Sequence, residues 1–130
     1  MSSRSAMRTP LKNARRLGSA KEGADHFWLQ RVTAMANVFL VTFLIALLVG
    51  LAGADYTHVR ASLSSPIIAV PLLLLITSGL IHMRLGMQVI IEDYVTNELG
   101  KVLALMANTF FTILVGTASV WAVLKLSFGG

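Results

Sequence analysis

Charge disappears from this chain in three long stretches. Between Arg31 and Asp55, Arg60 and Arg84, and Lys101 and Lys125 lie windows of 23 residues without Asp, Glu, Lys or Arg. Their apolar residues follow no two-residue alternation, and Val38-Phe39-Leu40-Val41 and Pro71-Leu72-Leu73-Leu74-Leu75-Ile76 are apolar on every side. A membrane-spanning strand needs only about 9 to 11 residues and alternates in polarity, so these runs suit helices in lipid. At 1.5 Å per residue each window extends about 34 Å, enough to cross a hydrocarbon layer of about 30 Å. The pattern predicts an all-α integral membrane protein with three transmembrane helices, at 32–54, 61–90 and 101–125. The second outlasts its window because LGMQVIIEDYV carries a helical pattern beyond Arg84.

Breaks between the windows are short, so adjacent helices are expected to pack antiparallel. Gly50, Gly53 and Asp55-Tyr56 mark the end of the first span, followed by a loop through His58 and Arg60 to Ser65. Pro66 suits the first turn of the second span, where a missing amide hydrogen is harmless, and Pro71 lies a turn further in, where it can kink the helix. A second loop is expected around Thr96 to Gly100. Residues 1–24, interrupted by Pro10 and Gly18, read as a basic tail. Residues 25–31 (DHFWLQR) form an interfacial lead-in, since Phe27 and Trp28 suit the headgroup level. There is no internal repeat.

Composition agrees: of 130 residues 55% are hydrophobic and 13% charged, with a mean hydropathy of +0.73. The longest stretch outside the windows is the 31-residue amino-terminal segment, so no separate soluble catalytic domain is expected. That segment also holds the whole net charge of +5, with seven Lys or Arg against two acidic residues. The positive-inside tendency puts the amino terminus in the cytoplasm, or in the matrix of a mitochondrion, and three crossings put the carboxyl terminus outside. A bacterial inner membrane is the expected location, with the mitochondrial inner membrane as the alternative. Lipid phosphates or an acidic partner are the expected counter-charges. Nucleic acid is not, because the tail lacks interleaved aromatic residues. Residues 1 to 20 are also basic, serine-rich and poor in acids, as a mitochondrial transit peptide would be. A secretory signal is a poor fit, since the first apolar run starts near residue 32 and is full length. With no cysteine, any metal must take nitrogen or oxygen ligands.

His82, in TSGLIHMRLGM, carries the candidate chemistry. An imidazole inside a membrane span requires a hydrogen-bonding or metal partner. Gly79 and Gly86 lie three before and four after it on one helical face, leaving a trough for a flat group, and Ser78 lies four before. Two readings follow. In one, the glycines permit close helix packing and His82 bridges that contact; in the other, His82 is an axial ligand of haem iron, its second ring nitrogen held by an acceptor. His26 and His58 lie outside the spans, so a bis-histidine haem would need a histidine from another subunit. Met83 and Met87 share the His82 helix and read as packing residues.

Asp93 and Tyr94 would lie about 16 to 18 Å beyond His82 if the helix continues, with Asp93 nearly on the His82 face. Together they suit hydrogen bonding and proton relay to an oxygen of a redox ligand, or simply an interfacial tyrosine beside a solvated carboxylate. Arg31 suits either a haem propionate or a headgroup, and Arg84 has the same ambiguity. Asn37 and Asn108 are placed to bridge helices.

The string H82-M-R-L-G-M-Q-V-I-I-E-D93-Y94-V resembles the HxxxGxxxxxxDY segment of the hydrophobic membrane anchor subunits of succinate dehydrogenase. The resemblance extends to GADHFWLQR before the first span and to the three-span arrangement, and so to nearly the whole chain after residue 22. The family often has His-Asp-Phe where this chain has Asp25-His26-Phe27, with Phe27 and Arg31 in the same register. The resemblance implies that His82 ligates haem b, that Tyr94 contacts ubiquinone with Asp93 beside it, and that Arg31 approaches a haem propionate. It further implies a cytochrome b556 membrane subunit as partner, an iron–sulfur subunit, and a flavoprotein subunit whose FAD oxidises succinate. On this reading the chain catalyses nothing alone. A fumarate reductase anchor and a non-redox structural subunit of another membrane complex are the alternatives.

Overall fold

A computed structural model describes residues 19 to 129, all four of whose elements are helices: α1 (Ser19–Leu51), α2 (Tyr56–Ser64), α3 (Pro66–Tyr94) and α4 (Glu98–Phe128). Of the tail expected over residues 1–24, residues 1–18 lie outside this description. The remainder is helical, so the 25–31 lead-in is the interior of a continuous α1 rather than a separate segment.

Three helices are long and apolar enough to cross a membrane: Glu22–Leu51, Pro66–Tyr94 and Glu98–Phe128, of 30, 29 and 31 residues. They run about 44 to 47 Å, matching a bilayer with its headgroup layers rather than the hydrocarbon alone. Trp28 near the start of α1 and Trp121 near the end of α4 are exposed at opposite ends, the placement that amphipathic rings take at two membrane–water boundaries.

The helix ends have local causes. After Leu51 the chain turns through Gly53, whose φ of +80° favours glycine. The expected loop from His58 to Ser65 is instead α2, because Asp55 caps it: its carboxylate accepts from the His58 amide at 3.1 Å. The span expected over 61–90 is therefore divided at Ser65, which is extended (φ −68°, ψ 133°) between α2 and α3. Pro66 opens α3, and the helix runs through Pro71 without a break. The expected loop over Thr96–Gly100 shortens to residues 95–97, because Asn97 caps α4 by accepting from the Leu99 and Gly100 amides at 3.0 and 3.5 Å. Glu98 in its first turn and Lys125 in its last complement the helix dipole.

α3 is the central helix, packed on both α1 and α4. Both contacts are antiparallel: Gln30 and Thr33 of α1 meet Gly86 and His82 of α3 in reverse order, as do Asn108 and Gly116 of α4 with Arg84 and Leu80. α2 lies against the carboxyl-terminal end of α4, where Arg60 Nη2 donates to the Gly129 carbonyl at 3.1 Å. Three helices in a row bury little: only Ala69, Leu85, Ile91 and Val123 form a buried apolar core among the described residues. An open row of this kind suits lipid or a second membrane chain, where exposed leucine and phenylalanine carry no penalty.

Candidate functional site

α1 is apolar on nearly every side from Val32 on, but Gln30, Thr33 and Asn37 recur at the i, i+3, i+7 spacing of one face. α3 answers with Ser78, His82 and Gly86, four residues apart and so also on one face. The two stripes meet. Ser78 Oγ donates to the Thr33 carbonyl at 3.3 Å, and Thr33 Oγ1 lies 3.2 Å from His82 Nδ1. A Cβ added at Gly86 would lie 3.5 Å from Gln30 Nε2, so the absent side chain is where Gln30 reaches across.

Thr33 is the most secluded polar residue of this seam, at 6% exposure. Its hydroxyl also lies 2.8 Å from the Leu29 carbonyl and 3.1 Å from that of Gln30, in the preceding turn. His82 is partly buried, and Thr33 engages one edge of its ring only. Gln30 Oε1 and Asn37 Oδ1, on either side of Thr33, are buried acceptors without a donor among the described residues. The seam thus holds more hydrogen-bonding capacity than the chain itself uses.

The trough expected between the two glycines is uneven. Nothing lies within 4 Å of a Cβ built at Gly79, whereas Gly86 is faced by Gln30. Gly79 therefore borders open space three residues before His82.

The remaining candidates are spread out. Arg31 is two residues from Thr33, a rotation of about 200° around α1, and its guanidinium stacks 4.7 Å from the centroid of Phe27. Asp93 and Tyr94 are the last two residues of α3, which is continuous from His82, so the separation of about 16 to 18 Å applies. Both side chains are exposed, Tyr94 at 80%. Of the two asparagines expected to bridge helices, Asn108 does so, donating from Nδ2 to the Arg84 carbonyl at 3.0 Å. Asn37 leaves its oxygen unpartnered. No cluster of three or more His, Cys, Asp or Glu residues able to hold a metal occurs among the described residues.

Sequence reasoning passed over Thr33 and Gln30. The available signal was the polar stripe on α1 at helical spacing, visible once Asn37 is taken with its neighbours three and four residues apart.

The family described as "Succinate dehydrogenase/Fumarate reductase transmembrane subunit" matches residues 5–124. A succinate dehydrogenase hydrophobic membrane anchor subunit of Rickettsia bellii is 37% identical over 117 residues, covering 89% of this chain and 93% of that protein. Its namesake in Paracoccus denitrificans is 29% identical over 121 residues, 93% of each chain. That of Rickettsia conorii is 33% identical over 99 residues, covering 75% of this chain and 79% of that protein. No solved structure matches the chain. With three apolar helices in a row and a matched region that takes in the first two and most of the third, the chain belongs to the succinate dehydrogenase/fumarate reductase transmembrane subunit family.

Proposed function

We propose that this chain is the hydrophobic membrane anchor subunit of a succinate:ubiquinone oxidoreductase, that His82 is an axial ligand of a haem b shared with the partner membrane subunit, and that Tyr94 and Asp93 border the ubiquinone site. The observation that carries the haem assignment is the seating of His82: one ring nitrogen faces Thr33 at 3.2 Å, and open space borders the helix at Gly79. The donor set fits haem, which needs only axial nitrogen from the protein because the macrocycle supplies the other ligands. The second axial ligand would come from the partner, since His26 and His58 lie in α1 before the apolar window and in α2.

When bound, haem b would supply a one-electron store held by His82. The residues of this chain hold and orient. Ser78 and Thr33 tie α3 to α1 at the level of His82. Arg31, cationic and exposed at the basic end of α1, is the candidate partner of a propionate carboxylate. At the same end, the phenol of Tyr94 donates a hydrogen bond to a quinone oxygen, and Asp93 passes protons from water to that oxygen as the quinone takes up two electrons and two protons.

The basic amino-terminal segment supports placing the α1 start, and with it Tyr94, on the inner face of a bacterial inner membrane. There the flavoprotein and iron–sulfur subunits, with their FAD and clusters, would deliver electrons. The relatives described above are named for succinate dehydrogenase, which favours succinate oxidation over the fumarate reductase reading. The decisive experiment is the absorption spectrum of the purified intact complex with and without His82→Ala. Loss of a low-spin b-type spectrum from an assembled complex is expected, and an unchanged spectrum overturns the assignment.

A further inference from the structure

Thr33 has three polar neighbours and one hydrogen to give. Its Oγ1 lies 2.8 Å from the Leu29 carbonyl, 3.1 Å from the Gln30 carbonyl and 3.2 Å from His82 Nδ1. Hydroxyl-to-oxygen hydrogen bonds are best near 2.7 to 2.8 Å, and bonds donated by N–H extend to about 3.2 Å. The hydroxyl hydrogen therefore belongs on the Leu29 carbonyl, a bond within α1 that threonine commonly makes four residues back. With that hydrogen committed, Oγ1 presents a lone pair to His82, and the hydrogen of the inter-helix bond must come from Nδ1. A neutral imidazole has one ring hydrogen, so Nε2 is left with its lone pair.

We propose that Thr33 is the positioning residue of His82: its hydroxyl oxygen accepts from Nδ1–H, selects that tautomer, and holds the ring so that Nε2 is the nitrogen offered to iron. This rests on the reading of His82 as a haem ligand. Two further observations support Thr33 rather than a neighbour. It is the buried polar residue of the seam, so the accepting oxygen itself is shielded from water. Its own backbone carbonyl accepts from Ser78, one turn before His82 on α3, so the acceptor is held in register with the ring from both sides. A hydrogen bond received from Nδ1–H makes Nε2 a stronger donor, favouring ferric over ferrous haem, and losing such an outer partner commonly lowers metal affinity about 10- to 100-fold.

The test uses the intact complex carrying Thr33→Val, which keeps the shape and removes the hydroxyl, and Thr33→Ser, which keeps the hydroxyl. Haem content, the low-spin electron paramagnetic resonance signal and the haem midpoint potential are read for each. The valine variant is expected to show a raised midpoint potential and shifted low-spin g values, with both restored in the serine variant. Loss of haem from the valine variant and its recovery with serine is the same result at its limit. An assembled valine variant with wild-type potential and signal overturns the proposal. Thr33→Ala, read by the same criteria, takes its place if valine prevents assembly. His82→Ala separates the two claims. If that variant keeps its haem, the ligand assignment fails; if it loses haem while the apolar Thr33 variants match wild type, only the role of Thr33 fails.

Discussion

Gly116 on α4 lies directly beneath Leu80 on α3: a Cβ added at Gly116 would sit 3.0 Å from Leu80 Cδ1. This is the closest approach at any α3–α4 glycine, and it sets how near the two helices come on the carboxyl-terminal half of α4. Small residues at such crossings replace the hydrophobic drive that lipid removes.

Enlarging Gly116 therefore tests the α3–α4 contact. Gly116→Leu is expected to destabilise the assembled complex by about 1 to 3 kcal/mol through overpacking. Gly50→Leu, at a helical glycine with nothing within 4 Å, is the matched control. Thermal denaturation of the purified complex, followed by helix content, reads the difference, and equal melting of the two variants would contradict the packing described.

Gly79 behaves oppositely. Its surroundings are empty within this chain, so Gly79→Leu leaves the chain's own packing intact. Under the proposed function the added side chain meets the haem or the partner chain beside His82. The expected outcome is normal insertion in membranes with haem content lowered in the purified complex, and full haem occupancy would argue that this face lies on lipid.

Tyr94 is exposed at the end of α3 and makes no hydrogen bond within the described chain. Under the proposed function, Tyr94→Phe is expected to keep assembly and haem while weakening quinone binding about tenfold, the effect of one lost hydrogen bond of about 1 to 1.5 kcal/mol. Steady-state succinate-dependent reduction over a quinone titration measures it. Identical titrations would remove Tyr94 from the quinone site.

Asp55 is expected to matter to α2 alone. Asp55→Ala removes the carboxylate that accepts from the His58 amide, a loss of about 1 kcal/mol for an N-cap. Hydrogen exchange should quicken at His58 and Val59 while α3 and α4 stay protected. Unchanged exchange across α2 would mean that its contacts with α4, rather than the cap, hold it.

Asn108→Leu removes the bond to the Arg84 carbonyl. Because inter-helix hydrogen bonds in membranes average about 0.6 kcal/mol, a small fall in melting temperature is expected, well below that of Gly116→Leu. A larger fall would identify Asn108 as a principal tie between α3 and α4.

What could be read from the sequence were properties that residues carry by themselves. Uninterrupted apolar windows between charges required three long helices, and short connections required antiparallel neighbours. His82, a costly residue inside an apolar run, stood out as needing a polar partner, and Thr33 supplies one. Local chemistry also explains what was misplaced. Asp55 and Asn97 are caps whose side chains reach amides two or three residues on, so the segments after them became helix where charge and polarity suggested loop.

Tertiary structure decided what depends on how two helices face each other. In a helix that is apolar all round, no stripe of hydrophobicity says which side meets a neighbour; the rotation is chosen by small residues and polar pairs. Only the packed arrangement makes α3 the middle of the row, distinguishes open Gly79 from covered Gly86, and brings Thr33 to His82 from 49 residues away. The chain's sequence thus determined that it crosses a membrane and where its one intramembrane imidazole lies. Which nitrogen of that imidazole faces another helix was settled by packing, because a hydrogen bond depends on distance and angle between two helices that the sequence of either one does not contain.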